Sequence, residues 1–139
     1  MKTRLLRRAW LLVPFAALAA CSDVTGGSGG EAVAGLSIES SGSPLVTVNG
    51  ASVSGTVTVQ QGQQRPMDIV FRSAGGTVVV PSALQTVRVT IVNTGVAGWS
   101  GGEAGTLRGN QRGSTTLRVD LLSGGTALYT SPSIPVQVN

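Results

Sequence analysis

Hydrophobic and polar residues alternate with a period of two along most of the chain from Leu36 onward. The pattern is plain in Val53-Ser54-Gly55-Thr56-Val57-Thr58-Val59, Met67-Asp68-Ile69-Val70-Phe71-Arg72 and Val87-Arg88-Val89-Thr90-Ile91. It returns in Leu117-Arg118-Val119-Asp120-Leu121 and Ile134-Pro135-Val136-Gln137-Val138. Successive side chains of a strand point to opposite faces, so this alternation predicts strands with one buried and one wet side. Turn residues punctuate them at Asn49-Gly50, Gln60-Gln61-Gly62, Ala74-Gly75-Gly76, Asn93-Thr94-Gly95 and Ser123-Gly124-Gly125. No apolar run at helical spacing exceeds two turns. The expectation is an all-β domain over residues 36–139, a single antiparallel sandwich of about seven strands in two sheets.

The first 35 residues follow a different pattern. Met1 to Arg8 carries Lys2, Arg4, Arg7 and Arg8 without an acid, and Ala9 to Ala17 is apolar apart from Pro14. That stretch is too short to span a bilayer as a helix, and its layout is that of an export signal. Leu18-Ala19-Ala20-Cys21 closes it and resembles the lipobox of bacterial lipoproteins, with Leu18, Ala19 and Ala20 as the recognition residues. The resemblance implies a signal peptide over 1–20, cleavage before Cys21, diacylglycerol on the Cys21 sulfur and acylation of the new amino terminus. Two or more acyl chains anchor stably where one binds reversibly. The bland alternatives are an ordinary secretory peptide cleaved near Ala20, or a short anchor that is never cleaved. The single cysteine of the chain stands where lipid attachment needs it. Ser22, in place of the Asp that favours inner-membrane retention, implies the outer membrane, facing the periplasm or the surface. Arg7-Arg8 partly resembles a twin-arginine signal, although Leu6 replaces its usual Ser or Thr. Ser22 to Gly35 holds five glycines and reads as a flexible tether over residues 21–35. As a random coil it would hold the domain roughly 20 Å from the anchor.

Cleavage changes the charge balance. The whole chain has 10 Lys plus Arg against 6 Asp plus Glu. The four cations of the signal leave with it, so Arg65, Arg72, Arg88, Arg108, Arg112 and Arg118 face an equal number of acids. A neutral domain gives no electrostatic reason to expect a nucleic-acid partner. No disulfide is available to a domain whose only cysteine is acylated.

A second resemblance lies in Thr106-Leu107-Arg108-Gly109-Asn110-Gln111-Arg112-Gly113-Ser114-Thr115-Thr116-Leu117-Arg118-Val119. It is similar to the C-terminal part of bacterial Ig-like domains of group 2, the invasin- and intimin-related kind. There a strand ends in Gly, and a short turn leads through a second Gly to an alternating strand. Gly109 and Gly113 would be the turn glycines, with Leu117, Val119 and Leu121 facing inward. Val92 to Ala97 is similar to the stretch that precedes this motif. The match spans Asn93 to Val138 and implies an Ig-like fold. The Cys…Trp…Cys frame of true immunoglobulin domains is absent, and no tandem array is present, so the resemblance does not carry adhesion with it.

The chemistry left after cleavage is sparse. Beyond Cys21 there is no His, no Lys and no free thiol, so a serine nucleophile would lack a base and zinc its usual ligands. No catalytic residue, metal site or cofactor is expected. Asp68, Glu103 and Asp120 could form a carboxylate-only site, but Asp68 and Asp120 fall on the polar side of their strands and read as solvated. Three residues are candidate partner contacts. Trp99, in the loop-like Ala97 to Gly102, either anchors a partner or folds back over the end of the sandwich. Arg108 and Arg112 flank Gly109-Asn110-Gln111 and are either solvated on a hairpin or able to grip a phosphate or carboxylate. Thr77 to Val80 is β-prone; as an edge strand it could pair with a partner's strand, but a Val-rich run reads rather as a buried strand, with Pro81 as a gatekeeper.

These features imply a lipid-anchored envelope protein with a non-catalytic binding or structural module, attached to an envelope protein or polysaccharide. An outward-facing adhesion or display domain is the alternative. A carboxylate-only hydrolase is a distant third.

Overall fold

The alternating segments all form strands, and their apolar sides face one shared core. The computed structural model describes residues 31–139. The signal segment, Cys21 and the tether up to Gly30 lie outside the described residues. In chain order the strands are β1 (Val33–Ser40), β2 (Ser43–Asn49), β3 (Ser52–Gly55), β4 (Val57–Val59), β5 (Gln64–Ser73) and β6 (Val78–Val79). They continue as β7 (Gln85–Ile91), β8 (Ala97–Gly101), β9 (Ala104–Gly109), β10 (Gly113–Ser123), β11 (Thr126–Thr130) and β12 (Ile134–Val138). The first strand begins inside the stretch read as tether.

Two sheets form the expected all-β sandwich. One runs β3-β2-β1-β5-β9-β8, with β6 added to β5. In the other, β10 pairs β7 along one side and both β12 and β11 along the other, and β4 joins β12. Leu36, Ile38, Met67, Ile69, Phe71 and Leu107 from the first sheet meet Val57, Leu117, Val119, Leu121, Ile134 and Val136 from the second, all fully buried. Each such side chain contributes about 1.5–3 kcal/mol on burial. We call the end marked by Val33, Ser73 and Ser123 the lower end. The upper end carries Gln64, Gly109 and Gly113. Strands β1, β5, β7 and β10 fix these levels through their registers.

The count of twelve exceeds seven for two physical reasons. Residues 53–59, a single strand by pattern, change sheets midway. β3 pairs β2, then Gly55 turns the chain at φ 98 and β4 pairs β12 in parallel. A side chain at Gly55 would also run into the Leu45 carbonyl. The alternation survives this switch because both halves face the same core. β8 and β9 are strands whose glycines blur the pattern.

Three sequence readings are corrected. The Thr77–Val80 run is not buried. β6 is a two-residue edge strand opposite Phe71 and Arg72, because β9 reaches only to Asp68, and Val78 and Val80 stand exposed. Asp120 is not solvated. It lies on the outer face of its sheet but is only 1% exposed, covered by Arg88, Arg118 and Thr130. The Gly109-Asn110-Gln111 segment is not a hairpin, since β9 and β10 belong to different sheets.

Candidate binding site at the upper end

Three connections converge at the upper end and are stitched to one another by main-chain hydrogen bonds. They are residues 60–63 between β4 and β5, 92–96 between β7 and β8, and 110–112 between β9 and β10. The Gly109 N–H donates to the Gln63 carbonyl at 3.0 Å, and its own carbonyl accepts from the Gly62 N–H at 2.8 Å. The N–H groups of Asn110 and Gln111 both donate to the Val96 carbonyl, and the Asn110 side-chain amide donates to the Thr94 carbonyl at 2.8 Å. The Gln61 N–H donates to the Asn139 carbonyl. Gly109 is a buried strand residue, where sequence alone suggested a turn glycine. An added Cβ would sit 2.5 Å from the Gln60 carbonyl oxygen, so the close approach of these segments needs its missing side chain.

Two shallow grooves, about 240 and 340 Å³, share Gln64. Registers place Gln64, Arg108 and Gly98 in one row of the outer face, and Thr106 and Ser100 in the next. With Trp99 and Asn110 these line the larger groove. Arg108 is exposed there and, among the described residues, makes no side-chain hydrogen bond or ion pair. Its planar set of donors suits a carboxylate or phosphate. Arg65, in the smaller groove, is committed to the fold: it donates to the Thr58 carbonyl at 3.0 Å and the Ser40 hydroxyl at 3.2 Å.

Trp99 stands opposite Leu107, which puts its ring on the inner side of the sheet, over Gly105 and half-buried against the core. Its indole N–H donates to the Gly101 carbonyl at 3.2 Å. The ring therefore closes the edge of the sandwich, on the opposite face from the Arg108 side chain. Arg112 is exposed in the β9–β10 connection, outside the lining of either groove. Cys21 and the residues before it lie outside the described residues.

The candidate carboxylates do not converge as a trio. Asp68 is exposed on the outer face of the first sheet, opposite Glu39 and Ala104. Burial, and then the Asp68 charge, push the neighbouring Glu103 carboxyl above its ordinary range. Asp120 lies in the other sheet. Burial would raise its carboxyl, but hydrogen bonds from Arg88 and Thr130, with the Arg118 and Arg88 charges, outweigh that and hold it below the usual range. Among the described residues, no three His, Cys, Asp or Glu side chains are placed to hold a metal ion.

Sequence reasoning missed Gln64, Ser100, Thr106 and Asn110 as groove residues. The outward places of Thr106 and Arg108 are visible in their alternation with Leu107 and Gly109. Gln64 carries no such signal, because only the β5–β9 register sets it beside Arg108.

No protein-family model matches the chain, and no curated protein matches it. Among solved structures it is similar to domains 4 and 5 of the S-layer protein SbsC, with 23% identity and a TM-score of 0.42 over 74% of this chain and 53% of that one. It is also similar to domains 5–6 of the S-layer protein SbsC, with 24% identity and a TM-score of 0.43 over 68% of this chain and 45% of that one. The chain spans about half the length of the solved chains it matches.

Proposed function

We propose that the protein is a lipid-anchored component of a bacterial cell envelope, whose β-sandwich is a non-catalytic binding or structural module. The observation that carries this reading is the arrangement of its two ends. The chain enters the domain at the lower end, through Val33, twelve residues after the lipobox-like Cys21. Arg108, unpaired among the described residues, and its row of amide and hydroxyl neighbours stand at the upper end, the opposite end from Val33. A tethered domain reaches a partner with its far end, and Arg108 suits an acidic partner, an envelope protein or an anionic polysaccharide. Outer-membrane placement rests on Ser22, by the lipoprotein resemblance.

Intact mass of the membrane-extracted protein tests the reading, beside a Cys21→Ala variant. The expected result is a mass for Cys21 to Asn139 plus acyl chains, lost in the variant together with membrane association. An unmodified wild-type mass would remove the proposal. Protease treatment of intact cells then separates the two orientations, since only an outward-facing domain is digested.

A further inference from the structure

We infer that the lower end of the sandwich is a lipid-docking surface, seated on the same membrane that holds the Cys21 anchor; this rests on the anchoring proposed above. The starting observation is an uneven distribution of exposed apolar side chains. Val78, Val80, Leu84 and Leu128 are 51%, 78%, 84% and 56% exposed, and a fifth large apolar residue, Val92, is 77% exposed in the connection at the upper end. The first four lie in the lower half: Val78 and Val80 on or beside β6, Leu84 leading into β7, and Leu128 on β11, across β10 from β7. Val33 pairs with Ser73, Val78 with Arg72, and Gln85, directly after Leu84, with Ser123.

The same end is nearly free of charge. Residues 74–87 and 122–133, which supply most of its surface, contain no Asp, Glu, Lys or Arg. Among the described residues Glu31 and Arg72 bring charge close to it, and the Arg88–Asp120 pair lies three residues further up β7 and β10. Seating such a surface at the headgroup–acyl boundary therefore desolvates almost no ionic group, while every buried methylene is favourable.

Chain length decides the occupant. Twelve peptide steps separate Cys21 from Val33, a reach of at most about 40 Å even fully extended. The lower end, where the chain enters the domain, is thus within reach of the bilayer. The upper end lies a further ten-residue strand away, about 33 Å along β5. A surface that is apolar, uncharged and held at the membrane by its own tether fits lipid better than a soluble partner that must compete for it.

The test uses the full lipidated protein in phosphatidylethanolamine–phosphatidylglycerol vesicles. With the Cys21 sulfur acylated, Leu84→Cys supplies the only free thiol, for an environment-sensitive fluorophore, and Gln61→Cys does the same at the upper end. Lipid brominated high on its acyl chains should quench the probe at 84 about threefold more than the probe at 61. Val80→Asp in the same chain should abolish that difference. Flotation of the same samples separates the two failures. Protein that floats with equal quenching at both positions keeps its anchor and overturns the docking. Protein that does not float overturns both. A probe at 84 shielded from water but untouched by bromine, with a signal rising with protein density, assigns the surface to a second copy instead.

Discussion

The two ends of this sandwich are held in different ways. At the upper end, hydrogen bonds run between segments far apart in sequence: Gly62 to Gly109, Gln61 to Asn139, Asn110 to Thr94 and Val96, and the Asn93 N–H to the Thr115 hydroxyl. At the lower end they stay within single connections, as in Ser73 to Thr77, Gly76 to Ser73, Gln85 to Ser82 and the Arg72 guanidinium to the Gly76 carbonyl. The Gly50 N–H to the Ala34 carbonyl is the exception. A cross-linked end keeps its side chains in fixed relation, which a recognition surface requires. An end of separate turns can yield to a soft surface, one turn at a time.

The largest test of this contrast places one methyl group at each end. Gly109→Ala puts a Cβ against the Gln60 main chain and Val138, where two connections and a core strand would all have to move. Unfolding free energy should fall by about 3 kcal/mol, the upper part of the usual overpacking range. Gly75→Ala meets only the Ser73 hydroxyl at ordinary contact distance and should change stability by less than about 0.5 kcal/mol. Urea denaturation of both variants gives the comparison directly; equal losses would mean that the two ends are equally stitched.

The same contrast explains what could be read from sequence. Strand identity and the inward residues were legible, because Leu117, Val119 and Leu121 or Met67, Ile69 and Phe71 each carry their own period. Burial of Asp120 was not, since its position in the period is that of an outward residue. Only the cross-strand pairing with Arg88 and Thr130 covers it. The Thr77–Val80 run misled for the opposite reason: its composition is that of a core strand, but it pairs with β5 on one side and no described strand covers its other edge. The groove around Arg108 is assembled from β5, β8 and β9, so its outward residues were legible singly and their meeting was not.

Asp120 sharpens the comparison from the side of the lower half. Its carboxylate accepts from Arg88 at 2.9 Å and from the Thr130 hydroxyl at 2.8 Å, tying β7 and β11 to β10 where the turns do not. Removing it in Asp120→Ala should cost about 2 kcal/mol at neutral pH, since it strips a buried acceptor from both partners. The pH dependence has a definite sign. The folded-state carboxyl titrates below its unfolded value, so its contribution is complete above about pH 4 and is lost as pH falls through the lower folded value. The stability gap between wild type and Asp120→Ala should therefore be constant near neutrality and close below about pH 4. A gap unchanged down to pH 2 would assign the loss to packing and not to charge.

The smallest expected effect concerns Tyr129, which packs edge-on against Phe71 with ring centroids 6.2 Å apart. Its hydroxyl is buried and has no hydrogen-bond partner among the described residues, and burial pushes it above the ordinary tyrosine range. A buried hydroxyl that makes no bond contributes only its desolvation cost, whereas the ring keeps its contacts either way. Tyr129→Phe should thus raise unfolding free energy, by about 1 kcal/mol, while a like deletion at the upper end, Asn110→Ala, should lower it by removing the bond to Thr94. Opposite signs would locate the polar cross-linking of this domain at its upper end. A loss in Tyr129→Phe would instead mean that the hydroxyl is engaged in solution, and that the lower half holds a polar link of its own.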